Sequence, residues 1–77
     1  MRELVEIMAK ALVGNPAQVE VTEIAGRSIL VIELKVAKED MGKILGKKGH
    51  HAQAMRAILD AVSGKLKKRV VLEIIDQ

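Results

Sequence analysis

Two glycines bracketing two lysines, Gly46-Lys47-Lys48-Gly49, are the residues of this sequence whose types and spacing suit a defined chemistry. Glycine lets a chain turn sharply and lets its backbone meet a phosphate with no Cβ in the way. A helix that begins after the second glycine presents amides without intrahelical partners and a partial positive charge. The two ammonium groups add point charges that attract phosphates without reading bases. Together these parts make a clamp for a sugar-phosphate backbone. The same tetrapeptide also serves as a plain helix connector, so its meaning depends on the elements around it.

Other chemistries fit poorly. Lys48 is followed by Gly49 and His50 rather than Ser or Thr, and the glycine spacing is wrong for a nucleotide P-loop. His50 and His51 are neighbours, whereas two histidines sharing a metal from one helix sit four apart, and the chain has no cysteine to complete a zinc site. The hydroxyl side chains are Thr22, Ser28 and Ser63, and neither serine has a histidine in its local motif. Glu39 and Asp40 sit where a helix should start, and the helix dipole accounts for them. The methionines at 8, 41 and 55 fall on apolar faces and read as core filler. We expect the chain to be no enzyme and to hold neither metal nor cofactor.

The flanking patterns place the clamp between two helices. Leu4, Val5, Met8, Ala11 and Leu12 recur at helical spacing, with Ile7 on the flank, and Gly14-Asn15-Pro16 should end that helix, Gly14 as a left-handed cap. Val19 to Ile24 and Ile29 to Val36 alternate as strands, joined by the turn Ala25 to Ser28 into an antiparallel hairpin. A short helix from Lys38 to Leu45 carries Met41, Ile44 and Leu45 on its apolar face, and Gly42 within it suggests that another backbone comes close. After the break at 46–49, a second helix from His50 to Ser63 buries Met55, Ile58, Leu59 and Val62 and pairs Arg56 with Asp60, with Gly64 as its cap. Lys65 to Arg69 connects it to a last strand, Val70 to Ile75. The order helix, strand, strand, helix, helix, strand is an α+β architecture, a three-stranded sheet with its helices on one face.

Seventy-seven residues with 49% apolar side chains and a net charge of +3 form one domain, 1–77. Phe, Tyr and Trp are all absent, which excludes a platform that stacks bases on aromatic rings. No signal peptide or spanning segment is evident, so the expected location is cytoplasmic, with no membrane contact and no small-molecule substrate. Charge is unevenly spread. Met41 to Leu59 holds Lys43, Lys47, Lys48 and Arg56 and no acid, Lys65 to Arg69 adds another +4, and the remainder sums to −5. Such segregation suits a polyanionic partner, although a solvated basic face without a partner has the same composition. The strands from Ile29 and Val70 carry apolar residues on both faces, which favours self-association.

The run Asp40-Met41-Gly42-Lys43-Ile44-Leu45-Gly46-Lys47-Lys48-Gly49, followed by a helix with Ala54, Met55, Arg56, Ile58 and Leu59, closely resembles a KH domain of the bacterial type II topology. The resemblance covers nearly the whole chain. It implies that the loop from Gly46 to Gly49 clamps about four unpaired nucleotides of RNA, with the bases in an aliphatic groove. Carried onto this sequence, the contacting residues are Lys43, Ile44, Leu45, Gly46, Lys47, Lys48, Gly49, His50 and Arg56. It further implies a homodimer, pairing with a larger RNA-binding protein, RNA chaperoning, and control of cell shape and cell wall biogenesis. His50 and His51 depart from the family pattern, and phosphate affinity should rise as pH falls through the range where histidine takes up a proton.

Overall fold

Strand alternation sets the architecture. In the computed structural model, which describes residues 1–75 and, of Lys47 and Lys48, the backbone alone, Leu30, Ile32, Leu34 and Val36 are all buried on one side of a strand. That strand, β2 (Ile29–Lys35), is the middle of a three-stranded sheet. β1 (Glu20–Ala25) pairs with it antiparallel, and β3 (Arg69–Ile75) pairs with it parallel, with Ile29 opposite Arg69. The hairpin turn closes where the Gly26 amide donates to the Ile29 carbonyl at 2.8 Å.

Two helical elements cover the buried face. α1 (Arg2–Leu12) contributes Val5 and Ala9 to the core, and α2 (Met41–Leu66) contributes Ile44, Ala52, Met55 and Leu59. These meet Leu30, Ile32, Leu34, Val36, Val70 and Leu72 from the sheet. The α+β order and the placing of helices on one face are as the sequence indicates. Among the described residues no helix is long and apolar enough to cross a membrane.

Several local expectations are corrected. The helix expected from Lys38 begins as a 3-10 turn, Lys38–Asp40, and turns α-helical at Met41. Helical assignment continues through 46–49 and past Gly64, which is not a cap; the helix ends at Leu66, and Lys67 takes the left-handed cap conformation at φ 56°. α1 is followed by extended Val13 rather than a left-handed Gly14. Nothing lies within 4 Å of a Cβ placed on Gly42, so no other backbone approaches it. Ile58 is exposed rather than buried, because its face of α2 looks away from the sheet.

Asp40 explains Gly14 better than capping does. Its carboxylate is buried and accepts the amides of Gly14 and Asn15 and the Asn15 side-chain amide, each within about 3.1 Å. The Lys43 ammonium lies 3.4 Å from the same carboxylate. A Cβ on Gly14 would come within 2.8 Å of that Lys43 Nζ. The end of α1 is thus tied to the start of α2 through one side chain, a role that goes beyond the helix dipole. Burial alone would raise the Asp40 pKa, but the donors from Gly14 and Asn15 and the Lys43 ammonium outweigh it and hold the carboxyl below its ordinary value. The stability this group supplies is complete above the ordinary carboxylate range and is lost as pH falls through the lowered folded value. Asp40→Asn should therefore melt at a lower temperature at neutral pH and lose less of its stability on acidification than the native chain. Melts of both from about pH 7 to about pH 3 test this, and an Asn variant as stable as the native chain at neutral pH would count against the tie.

Candidate nucleic-acid interface

α2 is helical by assignment but not straight. Gly49 sits at φ 68°, in the left-handed region, which interrupts a right-handed helix. The ring Nδ1 of His51 lies 2.6 Å from the carbonyl oxygen of Lys43, eight residues earlier. In a continuous helix those residues are separated by about 12 Å along the axis. The two halves are therefore folded against each other at an elbow, and the two helices expected from the sequence are the two halves of α2. Because a carbonyl only accepts, the His51 Nδ1 carries the hydrogen of this bond.

Of the nine residues expected at the clamp, the elbow gathers Lys43, Gly46, Gly49 and His50. Gly42, Lys43, Gly46, His50 and His51 line a hollow of about 280 Å³ in its angle. Beyond its own turn of helix, Gly46 has no atom within 4 Å of the place where a Cβ would sit. Ile44 is fully buried and belongs to the packing beneath, whereas Leu45 is 46% exposed on the surface. Lys43 is half exposed, but its ammonium is engaged by Asp40. The side chains of Lys47 and Lys48, expected to carry the phosphate contacts, lie outside the described residues.

Arg56 is drawn elsewhere than expected. It does not pair with Asp60 among the described residues; its Nη2 donates to the carbonyl of Leu72 on β3, at 3.3 Å. β3 is an edge strand, and the Arg69 amide turns towards β2 to bond the Ser28 carbonyl. Alternation then directs the backbone groups of Val70, Leu72 and Ile74 to the free edge. Between that edge and the second half of α2 runs a groove of about 240 Å³ lined by Arg56, Leu59, Asp60 and residues 69–72. Sequence reasoning missed Leu72 and Arg69, because nothing local signals which strand will be the edge. On the opposite side of the sheet Glu33 and Glu73 lie in register, on a face that alternation also gives Glu20, Lys35 and Arg69.

Removing the ring of His51 should loosen the elbow. Loss of one hydrogen bond, about 1 kcal/mol, should speed amide exchange around 46–52 by roughly fivefold in His51→Ala and leave the β2 amides unchanged. Equal exchange in both proteins would show that the bond does not hold the angle.

Comparison with known proteins follows the same lines. The family model for the KH domain of KhpA/KhpB matches residues 2–74. The RNA-binding protein KhpA of Caldanaerobacter subterraneus subsp. tengcongensis is 59% identical over 75 residues, covering 97% of this chain and all of that one. The protein of the same name from Clostridium perfringens is 51% identical over 75 residues, again covering 97% of this chain and all of its relative. That of Aquifex aeolicus is 49% identical over 76 residues, 99% of this chain and 96% of its own length. No solved structure matches significantly.

Proposed function

Because this chain belongs to the KhpA/KhpB family of KH domains, we propose that it binds single-stranded RNA, with the elbow as the clamp on the sugar-phosphate backbone. The observation that carries the reading is the open space over Gly46, where a Cβ would sit, beside a left-handed Gly49 in a stretch of chain without acids. Phosphates meet the elbow, Lys47 and Lys48 neutralise them, and His50 and Lys43 border the site, the Lys43 ammonium held by Asp40. Bases enter the groove along the free edge of β3, past Leu45 and Arg56. That groove needs no aromatic ring, which suits the composition. In this reading the chain is a cytoplasmic RNA chaperone or post-transcriptional regulator, acting with a KhpB-like partner, with consequences for cell shape and cell wall biogenesis. The relatives are named for binding, not for catalysis.

Lys47→Asp with Lys48→Asp should lower RNA affinity by at least about tenfold with the circular dichroism spectrum unchanged, and replacing both with Ala should flatten the log-log salt slope by about 1.4. Affinity that survives the Asp pair in a folded protein would remove the clamp.

A second reading, as a dimerisation module, is favoured by one observation. Met8, Ala11, Leu12, His51, Ala54, Met55 and Ile58 line an almost wholly apolar groove of about 260 Å³ between α1 and the second half of α2. Ile58 is 44% exposed at its rim, and Ile7 is 68% exposed on the same helix as Met8. A second copy or the KhpB-like partner would cover this surface. Ile58→Asp should lower the sedimenting mass of the chain; a monomeric native protein, or a variant that still dimerises, argues against the groove as the interface.

A further inference from the structure

The elbow is not the only basic feature of the molecule. At the opposite end of the second half of α2, Lys65, Lys67 and Arg69 are exposed, as is Arg27 in the hairpin turn. The Arg69 amide bonds the Ser28 carbonyl at 2.9 Å, which brings the turn and the connector together. Among the described residues, none of these four cations is in an ion pair. The nearby acids are Asp60, in the groove, and Glu23, which accepts the Arg2 amide and shares a hollow with Lys68. Lys67 holds φ 56°, a backbone that Gly or Asn adopts more readily, and the chain keeps a cation there. The groove along β3 has Arg56, seven residues past Gly49 on the second half of α2, and Arg69, from the pole, both in its lining.

We infer that Arg27, Lys65, Lys67 and Arg69 form a second phosphate anchor, so that one RNA strand runs from the elbow along the β3 groove to this pole. The inference rests on the clamp reading above and extends it from a four-nucleotide grip to a longer footprint. From His50 to Leu66 the helix rises about 24 Å, which a stacked strand covers in about seven nucleotides and an extended one in fewer. A four-nucleotide oligomer held at the elbow does not reach the pole; a twelve-nucleotide one does.

Oligouridylates of 4 and 12 nucleotides test this, with Arg27→Gln/Lys65→Gln/Lys67→Gln, three residues outside the groove lining, as the variant and melting curves to confirm its fold. The variant should bind the 12-mer at least about fivefold more weakly, with a salt slope shallower by about 2, and should bind the 4-mer as the native chain does. Replacing Lys65 and Lys67 with Arg should preserve 12-mer binding. Unchanged 12-mer affinity in the Gln variant overturns the anchor. Equal weakening of both oligomers also overturns it, because the pole would then be acting at a distance on the clamp. A 12-base-pair duplex that loses as much affinity as the single strand overturns it too, by marking the pole as a general polyanion surface. The Lys47→Asp/Lys48→Asp chain serves as the control on the clamp. If it still binds the 4-mer, the clamp reading falls and this inference with it; if it loses both oligomers while the Gln variant loses only the longer, both stand.

Discussion

Parallel pairing of β2 with β3 is the constraint from which the rest of the molecule follows. After β2 the chain must return to the strand's starting end, a distance of about 23 Å for seven residues. It makes that return with a helical element of 26 residues, which if straight would be about 39 Å long. The excess has to fold back. It does so at Gly49, the glycine of positive φ, and the ring of His51 closes the angle on the Lys43 carbonyl. The feature that carries the functional reading is thus a product of topology: a crossover too long for its strand, bent at a residue without a Cβ.

Charge is sorted along the chain. Met41 to Leu59 holds four cations and no acid and Lys65 to Arg69 adds four more, while Glu20, Glu33 and Glu73 share the open face of the sheet with Lys35 and Arg69. A net charge of +3 conceals this polarity. The stretch through the elbow is thus free of acids of its own, the local condition a polyanion needs.

Features governed by local period were legible in the sequence. The alternation from Leu30 to Val36 reads correctly because one face of β2 is buried, and the stripe through Val5 reads correctly because α1 has one apolar side. The glycine pair was legible as a break, and the bend falls on its second member, Gly49, while helical assignment runs on through both. What escaped depends on contacts across the fold. Asp40 resembles a helix-start acid, yet its partners lie 25 and 26 residues away. Arg56 has a plausible mate four residues on and prefers a strand carbonyl sixteen away. Gly64 looks like a stop, but the helix runs on to Leu66 and a lysine makes the turn. Ile58 fits the buried stripe by spacing and still faces outward.

The guanidinium of Arg56 has a consequence for solubility. The free edge of β3 offers backbone groups of Val70, Leu72 and Ile74 in a strand rich in β-branched residues, the kind of margin along which a foreign strand can zip. By occupying the Leu72 carbonyl, Arg56 stoppers that margin at its midpoint. An intruding chain has to displace a charged side chain before its ladder can run through Leu72, so the same residue that faces the groove also interrupts the margin of the sheet.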